Sequence, residues 1–244
     1  MKKMIKNISI IYPIYNEAKR LNNIFKDIKK FNKKTKYIIK EYIFVDDGSV
    51  DQSKIFLKNF IKDYSNKKNK FKIISYRRNR GKGFALKTGI KSSTKKWILT
   101  SDSDCSVSNF QLIKWLNKKY INNEYKIYFG SRNHPDSIVK KVKIRQFIGY
   151  LFRLIILIFF NIRINDTQCG FKLYQSKIGK EIFQKVKTDG YMHDLEIVIS
   201  ANKMGIPIKE LPVNWIHKND GKINFLKDAI RIIFSLCKIK FSKY

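Results

Sequence analysis

Short, dense apolar runs alternate along this chain with longer segments whose apolar positions recur every three or four residues. Asn7 to Tyr12, Glu41 to Val45, Phe71 to Ser75, Trp97 to Thr100 and Tyr125 to Phe129 are runs of strand length rich in Ile, Val, Phe and Tyr, the pattern of strands buried on both faces. Pro13 is expected to end the first. Between the runs, Glu17 to Phe31 carries Leu21, Ile24, Phe25 and Ile28 at helical spacing. A second helix is predicted to open at Ser49 and run through Ile55, Leu57 and Ile61, a third to follow Asn79–Gly83 as far as about Lys91, and a fourth to span Phe110 to Tyr120. Strands alternating with helices predict an α/β chain whose central sheet is mostly parallel and flanked by helices. Such sheets bind ligands outside the carboxyl ends of their strands, and polar clusters follow the strand ends here.

The second half reads differently. Lys140 to Arg145 is basic, and Phe147 to Phe160 is strongly apolar but interrupted by Arg153. A bilayer crossing needs about 20 apolar residues, so 147–160 is too short to span. It reads either as a core helix or as one lying in a membrane interface. Asn224 to Phe241 is a second, basic candidate, with Phe225, Leu226, Ile230, Ile233, Phe234 and Cys237 at helical spacing. The expected organisation is one domain over 1–217, divided at 132/133, followed by a basic amphipathic helix over 218–244.

Composition changes this picture little. The 244 residues carry a formal charge of +33 and a hydrophobic fraction of 43%, ample for a core. The lysines are spread along the chain and are enriched together with Asn and Ile, so the charge reads first as background and second as a field favourable to phosphates and anionic lipid. No RRM, KH, zinc-finger or helix-turn-helix pattern accompanies it, and no nucleic-acid partner is expected. Cys105, Cys169 and Cys237 are odd in number and lack metal-ligand spacing, which suits a reducing compartment. The apolar segment Ile8 to Ile14 is too short and too polar for a signal peptide.

Four polar clusters carry candidate chemistry. Tyr12-Pro13-Ile14-Tyr15-Asn16-Glu17 can stack a base and hydrogen-bond a ribose, or form a Pro turn with Asn16 as helix cap. In Asp46-Asp47-Gly48-Ser49-Val50-Asp51 either leading carboxylate can accept from a base or ribose, Gly48 permits a tight turn, and Ser49 and Asp51 suit a helix start. Arg77-Arg78-Asn79-Arg80-Gly81-Lys82-Gly83 places cations and flexible backbone at a helix N-terminus, a candidate anion site, although neither GxxxxGK[ST] nor GxGxxG is present. Ser101-Asp102-Ser103-Asp104 follows the fourth strand. If it continues that strand, Asp102 and Asp104 share a side of the backbone and can hold Mg²⁺ or Mn²⁺ against substrate phosphates. It reads equally as a polar turn before a helix capped by Ser106 or Ser108.

Taken in order, YPIYNE, FVDDGSVD, NRGKGFALKTG and DSD resemble the inverting GT-A glycosyltransferases of family 2. Asp166-Thr167-Gln168-Cys169-Gly170-Phe171-Lys172 is similar to the DTQCGFK block of the dolichyl-phosphate β-glucosyltransferases, within the polyprenyl-phosphate hexosyltransferases. Gly130-Ser131-Arg132 and Asp194-Leu195-Glu196 fall where that group has related motifs. The resemblance implies a GT-A, Rossmann-like fold with a nucleotide-sugar half (1–132) and an acceptor half (133–217). It implies a donor, UDP-glucose or else GDP-mannose, bound by Pro13, Tyr15, Glu17, Asp46, Asp47, Gly48, Ser49, Gly81 and Lys82, with Mg²⁺ or Mn²⁺ on Asp102 and Asp104. It implies a polyprenyl-phosphate acceptor met by Arg132, with Arg145 and Lys222 as further cations. Asp166 is implied to orient sugar or acceptor; Asp194 does likewise, or serves as base if the acceptor is a soluble or glycan hydroxyl. The implied location is peripheral, on the cytoplasmic face of a membrane with an anionic surface. Where mannose synthases of the group commonly have Gln two residues after the second metal-site Asp, this chain has Ser106, and no N-terminal membrane helix of the kind usual in the eukaryotic glucosyl enzymes is read.

Overall fold

A computed structural model describes residues 5–35, 38–64, 69–122, 124–139, 154, 156–190 and 192–216. The strands are β1 (Ile8–Ile14), β2 (Ile39–Asp46), β3 (Lys70–Ser75), β4 (Trp97–Thr100), β5 (Ile127–Ser131), β6 (Ile138–Val139), β7 (Lys172–Gln175), β8 (Ile208–Pro212) and β9 (Asn214–Trp215). The helices are α1 (Leu21–Lys34), α2 (Ser53–Tyr64), α3 (Lys82–Ser92), α4 (Phe110–Asn117), α5 (Ser176–Lys185) and α6 (His193–Lys203). Seven strands form one sheet in the order β3-β2-β1-β4-β7-β5-β8, and β6 pairs with β9 in a small second sheet. β7 is antiparallel to both its neighbours; the other pairings of the main sheet are parallel.

Side-chain alternation along the strands builds two cores. Ile8, Ile10, Tyr12 and Ile14 of β1 face the apolar sides of α1, α2 and α4, where Phe25, Phe60, Leu112 and Trp115 lie. Ile11 faces the other way, toward Leu86 of α3, Ile182 of α5 and Val198 of α6. The result is a sheet covered by helices on both faces, as the apolar runs predict.

Several boundaries differ from the sequence reading, each for a local reason. β1 passes through Pro13 to Ile14. β4 pairs with β1 only as far as Ile11, so at Pro13 the strand has a neighbour on the β2 side alone, and a missing N–H is tolerated there. α2 begins at Ser53, not Ser49, because Asp51 receives the Ser53 N–H (2.9 Å) while the Ser49 hydroxyl receives the N–H of Asn16 (3.0 Å). The start of α4 is held from outside by Asp27 of α1, which accepts from Ser108 Oγ (2.5 Å) and Asn109 N (2.9 Å). β7 lies between β4 and β5, so the halves divided at 132/133 share one sheet.

Of the apolar stretch 147–160, Leu154 and residues 156–160 are described; they are helical, with Ile156 buried and Leu154, Leu157, Ile158 and Phe159 exposed. Arg145, Lys222, Cys237 and the predicted helix over 218–244 lie outside the described residues. Among the described residues, no helix is long and apolar enough to cross a membrane.

Candidate active site

The chain winds outward from β1 through β2 to β3, then returns to the other side of β1 as β4. That reversal leaves a crevice beyond the carboxyl ends of β1 and β4. Its first wall is made by the segments after β1 and β2, which are laced together. Asn16 Oδ1 accepts from Val50 N (2.9 Å) and Ser53 Oγ accepts from Glu17 N (2.8 Å). Arg20 donates two 2.5 Å hydrogen bonds to the Glu17 carboxylate. Tyr15 is exposed, while Pro13 is half-buried.

The two acids after β2 are buried. Asp46 accepts from Ser49 N (3.1 Å) and Ser75 Oγ (3.0 Å); Asp47 accepts from Arg80 N, Gly81 N and Asn79 Nδ2, each at 2.8 Å. Their first role is therefore to fasten neighbouring loops, where sequence suggested acceptors for a base or ribose. Gly48 between them and Ser49 has φ +69°, and a Cβ there would lie 2.6 Å from the backbone of Arg78 and Asn79. The turn needs glycine on both counts.

The basic glycine loop is closed from within, which corrects the expectation of an open backbone anion site at α3. The Asp189 carbonyl accepts from Gly83 N (2.8 Å) and Phe84 N (3.3 Å). A Cβ at Gly81 would lie 2.5 Å from that same oxygen. With Asp47 holding the amides of Arg80 and Gly81, four of the amides around the start of α3 already have protein partners. The oxygens that satisfy them come from distant parts of the chain, which spacing alone does not reveal. What the loop presents instead is the Lys82 side chain.

Lys82 Nζ lies 2.6 Å from Asp102 Oδ1, with the two side chains 25% and 35% exposed. Burial alone would push the Lys82 ammonium down, but the carboxylates of Asp102, Asp194 and Asp104 outweigh it and raise the pKa. β4 ends at Thr100, so Asp102 and Asp104 lie in a turn rather than on a continued strand. Asp104 Oδ1 accepts from Ser106 N (2.8 Å), and Cys105 takes the left-handed conformation, φ +53°. Across the crevice, Gly170 supports Asp102 from beneath: a Cβ on residue 170 would come within 2.3 Å of both Asp102 carboxylate oxygens.

Arg132 follows β5 and pairs with Asp166 through Nε (2.7 Å) and Nη2 (2.8 Å), while its own N–H donates to the same carboxylate (2.9 Å). Asp166 also accepts from Gln168 N (3.1 Å) and Cys169 N (3.2 Å). Burial would raise its pKa; Arg132 and these amides hold it below the usual carboxylate range. Arg132 lines a small pocket with Asp102, Gln168, Gly170 and Trp215, and its guanidinium carbon is 5.9 Å from the Trp215 ring centre.

Asp194, in the first turn of α6, is buried and paired with Lys172, whose Nζ also donates to the Thr167 carbonyl (2.9 Å). His193 Nε2 is 3.3 Å from Asp194 Oδ1, and its Nδ1 meets the Gly190 carbonyl at 2.8 Å. Burial would raise the Asp194 pKa, but His193, Lys172 and Lys82 bring it down to about 2. Such a carboxylate is a weak proton acceptor at neutral pH, and the role of base for a hydroxyl acceptor does not match its surroundings. Glu196 accepts from Lys187 N (2.8 Å) and Thr188 N (2.7 Å), steadying the loop that carries Asp189.

The model of glycosyl transferase family 2 matches residues 9–183. The chain belongs to that family. It is 32% identical to the dolichyl-phosphate β-glucosyltransferase of Dictyostelium discoideum over 98% of this chain and 76% of the relative. The Saccharomyces cerevisiae protein of the same name is 32% identical over 96% and 74%; the human one is 31% identical over 89% and 70%. Among solved structures, glucosyl-3-phosphoglycerate synthase from Mycobacterium tuberculosis, in complex with Mn²⁺, UDP and glucosyl-3-phosphoglycerate, superposes with a TM-score of 0.71 at 14% identity, over 96% of this chain and 80% of that one. Mannosyl-3-phosphoglycerate synthase from Rubrobacter xylanophilus gives 0.62 at 16% identity, over 96% and 72%. These likenesses place the fold among the GT-A glycosyltransferases.

The donor set of this family 2 glycosyltransferase fits a divalent cation of one kind. Among the described residues no group of three or more His, Cys, Asp or Glu side chains could hold a metal. The residues that would hold such an ion are Asp102, whose carboxylate now carries the Lys82 ammonium, and Asp104. A hard ion there must complete its shell with substrate phosphate and water, as Mg²⁺ commonly does. Sequence reasoning missed Lys172 and Trp215 as parts of the site. Lys172 carried a signal, since a lysine between Phe171 and Leu173 in an apolar run must find a buried carboxylate. Trp215 carried none, because only the return of β8 beside β5 brings it to Arg132.

Proposed function

We propose that this glycosyltransferase moves glucose from UDP-glucose to a polyprenyl phosphate of the dolichyl type, with inversion at the anomeric carbon. The relatives' names support the reaction. The observation that carries the acceptor class is the state of the two acids best placed for base catalysis. Asp166 accepts five hydrogen bonds from protein donors, and Asp194 is buried against Lys172. A hydroxyl acceptor needs a base. A phosphate monoester, with its second pKa about 6, is already an oxyanion at neutral pH. The chemical task is then to bring two anions together.

In this reading Tyr15 lies over the nucleotide base, and the loops fastened by Asp46 and Asp47 shape its seat. Lys82 serves the donor diphosphate. Arg132, oriented through its fork by Asp166, offers its remaining nitrogen to the acceptor phosphate as a charge-assisted donor. When held by Asp102, Asp104 and the diphosphate, Mg²⁺ or Mn²⁺ supplies charge that neutralises the departing nucleotide. An acceptor phosphate oxygen forms the new bond to the anomeric carbon as the bond to the diphosphate breaks.

The test offers labelled UDP-glucose and GDP-mannose with polyprenyl phosphate and Mn²⁺. Organic-extractable label from UDP-glucose is expected, at a rate that climbs as the acceptor completes its second ionisation near pH about 6 and is flat above. Label from GDP-mannose alone would reassign the sugar, and transfer only to hydroxyl acceptors would sink the phosphate reading.

With a lipid-linked acceptor, we further propose that the protein works at a membrane surface, on its cytoplasmic side. The exposed Leu154, Leu157, Ile158 and Phe159 would enter the interface, and each basic residue near anionic lipid adds about 1 kcal/mol. Co-sedimentation with anionic vesicles at low salt, lost at high salt, is the expected result. Full recovery in the supernatant at low salt would refute it.

A further inference from the structure

We propose that Lys82 is a placeholder cation on Asp102, released to the donor diphosphate only when metal and nucleotide arrive together, so that the metal does not bind first. This inference rests on the reading of Asp102 as a metal ligand. Three observations carry it. The ammonium is at 2.6 Å from Asp102 Oδ1, where a divalent ion would have to approach, and the pair is only part-exposed. Asp102 cannot retreat toward Gly170, because its carboxylate already rests on the space a Cβ would fill. Nor can the backbone carry Lys82 away: the amides on either side of it, Gly81 N and Gly83 N, are held by Asp47 and Asp189. The long side chain is the moving part.

Metal alone would leave a +1 and a +2 charge competing for one carboxylate at a few ångströms, a repulsion that weakens metal binding even in a polar setting. Asp194 behind Lys82 offers no ready refuge, since Lys172 is already paired with it. A nucleoside diphosphate changes this, because its oxygens give the displaced ammonium a new partner while also completing the metal's shell. Binding of metal and nucleotide is then coupled through the lysine, and the coupling is reciprocal.

The experiment measures Mn²⁺ binding by the loss of the free-ion EPR signal, with and without UDP, on the full chain. Wild type is expected to bind Mn²⁺ weakly alone and tightly with UDP. Lys82→Met should bind Mn²⁺ alone about tenfold more tightly or better, as removal of a like charge at this distance requires, and should gain less from UDP. Lys82→Arg, which keeps the charge, should resemble wild type. Lys82→Gln repeats the test should the methionine variant fail to fold, with melting curves reporting folding. Asp102→Asn should lose Mn²⁺ in both conditions. Unchanged Mn²⁺ affinity in Lys82→Met and Lys82→Gln, with Asp102→Asn still defective, would overturn the placeholder and leave the metal site standing. Wild-type Mn²⁺ binding by Asp102→Asn would overturn the metal site and the placeholder with it.

Discussion

Replacing Gly170 by alanine is expected to lower kcat by about 100-fold, the scale of an ångström-size misplacement at a reacting centre, while leaving the protein folded. The added methyl would stand 2.3 Å from both oxygens of Asp102 and 2.4 Å from its Cγ, a clash that something must relieve. Its neighbour is the tip of a side chain, so the cheap relief is rotation of Asp102 and not a shift of β4 or β7. Gly170 lies outside the left-handed region, so alanine brings no backbone strain of its own. Rotation, however, takes the carboxylate off Lys82 and away from the place where, in the proposed reaction, it would hold the donor's cation. Charge develops on the leaving diphosphate in the transition state, so the loss appears in kcat rather than in acceptor binding. Steady-state rates with UDP-glucose and polyprenyl phosphate, paired with a thermal melt, check both halves. Near-wild-type kcat, or a collapse of the fold, would each contradict the argument.

That prediction also shows where the sequence was legible and where it was not. The apolar runs of β1 to β5 and the helical spacing of α1 to α4 are local patterns, and they located the sheet and its helices to within a few residues. The motifs after the strands were legible as clusters because each is contiguous. Their internal chemistry was not, because it depends on partners brought from elsewhere. Asp46 and Asp47 read in sequence as acceptors for a base or ribose, while in the fold Asp47 holds the amides of Arg80 and Gly81. The glycine loop reads in sequence as an anion site, while in the fold the Asp189 carbonyl takes the amides of Gly83 and Phe84. The DTQCGFK block resembled a family signature, yet what its glycine does, making room for a carboxylate on β4's following turn, has no trace in its own seven residues. β7 escaped prediction altogether: at Lys172–Gln175 it is no shorter than β4, but its lysine breaks the pattern of a buried strand. Its lysine is tolerated because Asp194 and the Thr167 carbonyl meet it.

Arg132→Lys is expected to raise the KM for polyprenyl phosphate by about 10- to 100-fold, the scale on which a hydrogen bond to a charged group contributes to binding, with kcat and the KM for UDP-glucose little changed. The reason lies in where charge moves. The acceptor phosphate gives up charge as it attacks, so a clamp on it grips the ground state at least as well as the transition state, and its loss reads as KM. Lysine keeps the positive charge but not the fork: it cannot give Asp166 two bonds and the acceptor a third. Asp166→Asn should move the same constant in the same direction by less, since the guanidinium remains but loses the carboxylate that aims it. If Asp166 works through Arg132, the double variant Arg132→Lys/Asp166→Asn should be no worse than Arg132→Lys alone, a departure from additivity that a merely structural carboxylate would not give. A fall in kcat at unchanged acceptor KM would instead place Arg132 on the donor diphosphate, beside Lys82, and leave the acceptor phosphate to cations elsewhere in the chain.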